Sequence, residues 1–500
     1  MTENSAETHA PRDRTAPLLL GLAAMLAFTW LLQSMTALPF MRGPIYDSVV
    51  YAAQADAVRA GRFGDPSLVA FSPLYGYVLA LLGGPTARFT IGVAQWAMWL
   101  ATVALVFRST VAQRDRRAAL AGAALCSLHG PLLFYTGKIL AESLGTLLAI
   151  GALSSLLAPS TRSARWRWTI GTGALLAFAT LARASQLFAL PLFVVAGALR
   201  WGRAEAALSL GLRARRAAGI ALGIALVLGA NGLWNQRNTG LFVPVILASR
   251  TLQRTTARDW RGRIEDLAAP GADRVSPWDV VDQARARIEA ARRGEREPSG
   301  ALVTVDWSGF ARNLPRKLKA TLEDREITSY MYSYYGEAGE SPLLRWFPVS
   351  FGVLLLLGLA GAIGLAKREG VGALAPYAPF FLAGLAACLL YHPSARYRLP
   401  MVYPLLLLAG PAVMDLFGSL RTESPRRRAL SGAVALVVII FVARHLAYRT
   451  QNPALWNASV ARAHALAGEM PEAAARIAAA RRSGPVSADT ERFIRAIPMR

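Results

Sequence analysis

A single carboxylate, Asp47, follows the first long apolar run of the sequence, in Tyr46-Asp47-Ser48. Tyr51, Ala55 and Gly61 come next, and then Ser72-Pro73-Leu74-Tyr75. A carboxylate at a membrane surface can take a proton from a hydroxyl where a lipid-borne substrate meets a soluble one. Further along, other ionisable residues stand near the ends of apolar runs. They are Lys138 and Glu142 in GKILAES, Arg183 in LARAS, Arg237 with Asn238 in NQRNTG, Lys319 and Glu326 in KATLEDREI, and Arg396 and Arg398 in ARYRLP. Charges beside or within a bilayer are costly and by default mark substrate paths or structural partners. Singly, each of these reads first as an interfacial anchor or an ion pair. Together, cations gathered on one face ask for an anion, and the planar fork of arginine matches a lipid phosphate.

The elements that must hold these residues are apolar helices. The chain has 500 residues, of which 54% are apolar, and a mean hydropathy of +0.34. Eleven runs approach the length needed to cross a bilayer: 16–38, 89–108, 118–135, 139–158, 168–183, 186–200, 217–234, 345–366, 373–391, 398–418 and 430–447. The expected fold is therefore an all-α polytopic membrane protein with about 11 transmembrane helices, helical outer loops and a short helical tail. The run at 71–82 is too short to span and is expected to lie along the outer surface.

A net charge of +24 would suggest nucleic acid in a soluble protein, but its distribution argues against that partner. Arg108, Arg114, Arg116 and Arg117 form one basic cluster, and Arg162, Arg165 and Arg167 a second. Arg200, Arg203, Arg213, Arg215 and Arg216 form a third, Lys367 and Arg368 a fourth, and Arg421 with Arg426, Arg427 and Arg428 a fifth. Every second loop is basic, which is the positive-inside pattern. It predicts a cytoplasmic N-terminal tail (1–15), a transmembrane unit (16–447) and an extracytoplasmic tail (448–500). The same pattern places outer loops at 39–88 and 235–344.

Within the first outer loop, 48–60 reads as an amphipathic helix stopped by Gly61. The second has nearly balanced charge and two helical stretches, 276–293 with Ser276 as N-cap and Pro277 behind it, and 311–329. Tyr330, Tyr332, Tyr334 and Tyr335 follow; the cluster could bind a sugar face, but interfacial tyrosines are the commoner use. The tail reads as helix, Gly468 turn, helix over 453–467 and 471–482. It looks like a single tetratricopeptide-type unit, which cannot bury a core alone and should dock on the outer loops or on a protein partner. The two cysteines, Cys126 and Cys388, lie in predicted spans without metal or redox spacing. No dinucleotide fingerprint, phosphate-binding loop, zinc-protease motif or nucleotide-sugar D-x-D is present, and the five histidines do not cluster. No nucleotide cofactor is expected.

Taken in order, these residues resemble the GT-C superfamily of membrane glycosyltransferases, and within it the bacterial glycosyltransferase family 39 and protein-mannosyltransferase-like group. The matching positions run over almost the whole chain: Asp47, Tyr51 and Gly61; Pro73-Leu74-Tyr75; Glu142-Ser143; Leu181-Ala182-Arg183; Arg237-Asn238 with Gly240; Lys319 and Glu326-Ile327; and Arg396-Tyr397-Arg398-Leu399-Pro400. The resemblance implies a polyprenyl-phosphate sugar donor, an acceptor hydroxyl on a protein, lipid or glycan, and inversion in one displacement. It implies that Asp47 is the general base and that Arg183, Arg237, Arg396 and Arg398 hold the phosphate. Glu142 and Glu326 would orient those arginines or touch the sugar. Lys138, Lys319, Tyr51 and Tyr75 complete the implied substrate set. Many relatives carry a second acidic residue beside the first; here that position is Ser48, so Asp56 and Asp65 are the nearby substitutes and use of a divalent metal stays open. The implied location is a bacterial cytoplasmic membrane, with the active site outside. Two other classes stay in view: a transporter or lipid flippase, and an inactive family member serving as a scaffold through its tail.

Overall fold

A computed structural model describes residues 15–158, 165–199, 201, 209–245, 277–295, 306–326, 332–421, 424–448, 452–483, 486 and 488–499. Most of the N-terminal tail, Arg162, Arg200, Arg203, Ser276, Ile327 and Tyr330 lie outside them. The described residues form helices and no strand. The first half holds α1 (Thr15–Thr36), α2 (Asp47–Arg59), α3 (Pro66–Ala70), α4 (Leu74–Leu81), α5 (Arg88–Gln113), α6 (Arg116–Leu128), α7 (Gly130–Phe134) and α8 (Glu142–Leu156). It continues with α9 (Trp166–Ala182), α10 (Ala189–Ala198) and α11 (Leu210–Thr239). The second half holds α12 (Pro277–Arg292), α13 (Trp307–Leu322), α14 (Tyr334–Glu340), α15 (Pro342–Arg345), α16 (Phe351–Glu369), α17 (Ala378–Leu390), α18 (Ala395–Leu420) and α19 (Pro425–Ala447). The tail forms α20 (Pro453–Leu466), α21 (Met470–Arg482) and α22 (Ala488–Arg495).

Each of the eleven apolar runs is occupied by helix. Five helices, α5, α11, α16, α18 and α19, are long and apolar enough to cross a membrane by length and composition. A sixth span arises if α6 and the following turn through Gly137 are joined across their 53° bend. The bend falls at His129, which ends α6 in extended backbone just before Gly130-Pro131. The run at 16–38 forms α1, of which Gly21–Thr36 is apolar, and the remaining runs make shorter helices. On α19, Leu430, Leu436, Ile439 and Ile440 are exposed, as expected of a helix that meets lipid rather than protein.

Two charged layers cap this helical body. At one end, Asp415 near the end of α18 takes Arg114 from the α5–α6 connection at 2.5 Å and Arg368 from the end of α16 at 3.1 Å. At the other end lie Asp47, Glu142, Arg183 and Arg396. From Arg396 to Asp415 the helix climbs 19 residues, or about 28 Å at 1.5 Å per residue, close to the ~30 Å of a bilayer's hydrocarbon.

The surface helices agree in kind with the sequence reading. The expected amphipathic helix is α2, and the 71–82 run is the short α4. The helix expected over 311–329 begins earlier, at Trp307, because Asp306 caps it by accepting from Gly309 N at 2.9 Å. It ends at Leu322, before Glu323-Asp324. Tyr332, Tyr334 and Tyr335 are buried rather than open to a sugar face; Tyr334 stacks on His445 and Tyr335 donates to or accepts from His445 Nδ1 at 3.0 Å. The tail docks on the rest of the chain. Trp456 Nε1 donates to Glu340 Oε1 at 2.7 Å, Arg476 pairs with Glu340 at 2.6 Å, and Glu469 pairs with Arg42 at 2.7 Å. Gly43 permits this approach: a Cβ there would strike the backbone carbonyl of Ala463.

Candidate active site

Four segments far apart in sequence meet at the end of the helical body opposite Asp415. Asp47 is the first residue of α2, Glu142 the first of α8, Arg396 the second of α18, and Arg183 follows the last residue of α9. Arg396 joins two carboxylates. Its Nη1 donates to Asp47 Oδ2 at 2.5 Å, and its Nε donates to Glu142 Oε1. Arg183 Nη1 lies 3.3 Å from the same Glu142 oxygen, while its Nη2 donates to the backbone carbonyl of Arg396 at 3.0 Å. Gly145, one turn along α8, leaves the space filled by the Arg183 stem.

The site is graded from surface to interior. Asp47 and Arg396 side chains are 18% and 12% exposed, whereas those of Glu142 and Arg183 are 1% and 6% exposed. Among the described residues, Asp47 Oδ1 makes no hydrogen bond, and Arg183 Nη1 makes none either. Both carboxylates start helices, where the dipole favours negative charge.

Local structure explains how Asp47 is held. Tyr46 is the one described non-glycine residue with positive φ, at 50°. Residues in such sparsely populated backbone regions cost of order 1–3 kcal/mol and persist where the surroundings fix them. Here the Tyr332 hydroxyl donates to Ile45 O at 3.0 Å and pairs with Ser48 Oγ at 2.7 Å, bracketing Tyr46 and Asp47. Tyr51, one turn beyond Asp47, packs edge-on against Phe71 and Tyr75, with centroids 5.5 and 5.0 Å away. The Tyr75 hydroxyl donates to Gln95 Oε1 at 2.9 Å. Gln95 Nε2 in turn donates to the carbonyls of Thr136 and Lys138, fixing the turn that leads to Glu142. Ser72 Oγ accepts from Ala184 N at 3.0 Å and ties this loop to Arg183.

The structure thus brings Asp47, Tyr51, Tyr75, Glu142, Arg183 and Arg396 together. It does not bring the other expected site residues to them. Arg398 is two residues beyond Arg396, hence about 200° around the same helix, and faces away. It donates to the carbonyls of Arg325 and Ala320 and lies over the Phe351 ring. Glu326 belongs to that second cluster and accepts from Phe351 N at 3.0 Å; burial pushes its carboxyl upward. Arg237 and Lys319 are exposed on α11 and α13. Lys138 is closed off. Its Nζ lies 2.6 Å from Glu337, both side chains are buried, and Phe134, Phe40 and Trp30 surround the ammonium.

Neither proposed substitute for the second acid reaches Asp47. Asp56 is nine residues on, about 180° around α2, and exposed; Asp65 caps α3 by accepting from Ser67 N. The second acidic group in space is Glu142. The pair does not fit a divalent cation, because Arg396 already stands between the two carboxylates. Among the described residues no group of three His, Cys, Asp or Glu could hold a metal.

Glu337 was not singled out in the sequence, and Tyr332 entered only in the tyrosine cluster weighed for sugar binding, not as a support for Asp47. Both come from the stretch after α13, whose only outward signals were a tyrosine run and an acidic residue among small ones.

No family model matches this sequence, and no curated protein does. Solved structures to which the chain is similar include the Archaeoglobus fulgidus oligosaccharyltransferase tethered with an acceptor peptide, at 13% identity and a TM-score of 0.47. That match covers 93% of this chain and 59% of the other. Another is the archaeal oligosaccharyltransferase AglB of the same organism in complex with an inhibitory peptide and a dolichol-phosphate. Its identity is 15% and its TM-score 0.46, covering 97% of this chain and 63% of the other. The chain therefore spans about three fifths of the length of these solved chains.

Proposed function

We propose that the chain is an inverting glycosyltransferase of GT-C type, close to the family 39 group. It would move a sugar from a polyprenyl-phosphate donor to an acceptor hydroxyl at the extracytoplasmic face of a membrane crossed eleven times. The observation that carries the reading is the Asp47–Arg396–Glu142–Arg183 cluster, gathered from four distant segments with one carboxylate oxygen open at its outer edge. A buried structural ion network has no need of a carboxylate oxygen left without a partner at its outer edge; a reaction site does.

In the proposed reaction the donor's phosphate lies against Arg183 and Arg396. The N-termini of α2, α8 and α18 add partial positive charge there. Asp47 Oδ1 accepts the proton of the acceptor hydroxyl as the acceptor oxygen attacks the anomeric carbon. The bond from that carbon to the phosphate oxygen breaks, and the lipid phosphate leaves with the electron pair. Arg183 and Arg396 stabilise the charge that develops on it, which is preorganised electrostatic stabilisation. Glu142 holds both arginines in place. No step is routed through a metal.

The test is transfer of sugar in isolated membranes, with labelled polyprenyl-phosphate sugars supplied one at a time. A general base contributes about 10²–10⁴ in rate, so Asp47→Asn at matched expression should remove at least about 100-fold of the transfer. Equal transfer by both proteins would refute Asp47 as the base.

A further inference from the structure

A narrow cleft has Glu142 in its lining. Trp99, Thr102, Leu132, Tyr135, Glu142, Ser143 and Thr146 line it, from α5, α7 with its following turn, and α8. It has room for one hydroxyl- or water-sized group. Three of its lining residues bring buried polar atoms that bond to nothing: Trp99 Nε1, Glu142 Oε2 and Ser143 Oγ. All three residues are more than nine-tenths buried. The two threonines of the lining differ in this respect: Thr102 donates to Met98 O, and Thr146 pairs with the Tyr403 hydroxyl. Buried polar atoms without partners are uncommon and each costs stability. Three around one cleft mark a place built to be filled by a polar group.

The donor set says which kind of group. Glu142 Oε2 is a carboxylate oxygen with a lone pair to give, the indole N–H can only donate, and the serine hydroxyl can do either. A phosphate oxygen would meet the carboxylate and be repelled. A neutral hydroxyl can donate to Glu142 and accept from Trp99 or Ser143 at once. The other oxygen of Glu142, one carboxylate width away, faces the two arginines proposed to hold the phosphate.

We propose that this cleft receives a hydroxyl of the donor's sugar and is the site at which the sugar is distinguished, an inference that rests on the lipid-phosphate-sugar reading above. Glu142 would then hold the arginines through Oε1 and read the sugar through Oε2. Discrimination would follow from the loss of a hydrogen bond when the matching hydroxyl is missing, since the site's own polar atoms would stay unpaired.

The experiment uses the full-length protein in lipid nanodiscs and two probes. One is bare polyprenyl phosphate; the other is the polyprenyl-phosphate sugar that binds most tightly from a panel of hexosyl and pentosyl lipids. Trp99→Phe and Ser143→Ala each remove one unpaired atom and keep most of the packing. Each should weaken the sugar-bearing lipid about five- to tenfold, as expected for one hydrogen bond, with the affinity for bare polyprenyl phosphate held. The ligand-free thermal midpoint should stay or rise, because an unsatisfied buried atom has been removed. Arg183→Gln should weaken both lipids. If the two variants bind both probes as the wild type does, the cleft holds a structural water and the inference is overturned while the lipid-phosphate reading survives. If the wild type binds neither probe, that reading falls, and this inference falls with it.

Discussion

Arg396 is the residue on which the site turns. Two carboxylates near one another would ordinarily repel, and Glu142 is too deeply buried to be left unpaired. A guanidinium can present separate N–H groups to both, Nη1 to Asp47 and Nε to Glu142, which the compact ammonium of lysine cannot do in the same geometry. Arg396→Lys should therefore lower sugar transfer at least about tenfold, equivalent to 1.4 kcal/mol of transition-state stabilisation. Arg396→Ala should in addition lower stability by about 3 kcal/mol, at the low end for breaking a buried pair because Arg183 stays beside Glu142. Transfer rates together with denaturation in detergent would check both. Wild-type behaviour by the lysine variant would show that one point charge suffices and that the bridge has no function. At this scale the sequence was partly legible. Residue type and position near span ends selected Asp47, Glu142, Arg183 and Arg396. The same criteria also selected Arg398, Arg237 and Lys319, because a linear pattern of charges does not carry the 200° that separates two neighbours on a helix.

Short elements at the edge of the bundle connect the site to the tail, and α14 is the central one. Its Glu337 reaches inward to Lys138, four residues before Glu142, and its Glu340 reaches outward to Trp456 and Arg476. Burial pushes the Glu337 carboxyl up to about 7 despite the opposing pull of Lys138. The folded state thus keeps a proton that the unfolded chain gives up near 4.5. Between those two values the unfolded state binds fewer protons, so this residue's contribution to stability is full below about pH 4.5 and falls as pH rises to about 7. Thermal midpoints measured across that range should drop with rising pH more steeply for the wild type than for Glu337→Gln, and parallel curves would refute the assignment. The elements themselves were largely readable from hydropathy and amphipathic spacing, down to α2, α4 and the first two helices of the tail, while the short α22 was not. Their edges were not, wherever a single capping group decides them: Asp306 moves the start of α13 back, and the break at His129 divides one apolar run into a bent pair.

For the whole molecule, the arrangement of charge makes one further demand. The Asp415 layer collects Arg114 and Arg368 at the end of the body where the basic loops cluster, and the Asp47 layer lies about 28 Å away along α18. If the positive-inside tendency governs insertion, the arginine layer is cytoplasmic and the site, with the tail docked over it, faces outward. The chain is well suited to a direct test, because its two native cysteines, Cys126 and Cys388, are both fully buried and should contribute little background. Arg427 in the basic stretch at the start of α19 and Ser483 at the end of α21 are exposed at opposite ends of the protein. With a membrane-impermeant maleimide on intact cells or spheroplasts, Ser483→Cys should label at once, whereas Arg427→Cys should label only after the membrane is opened. The reverse pattern would put Asp47 on the cytoplasmic side, where an extracytoplasmic acceptor could not reach it. Labelling of both positions in intact cells would mean that α19 does not cross the membrane between them, and the eleven-span count would fall. The tail's contacts make the outcome informative beyond topology. Glu469 binds Arg42 and Trp456 packs on Phe40 at 5.6 Å, within a few residues of Asp47, so whichever side holds Ser483 also holds the carboxylate on which the proposed chemistry depends.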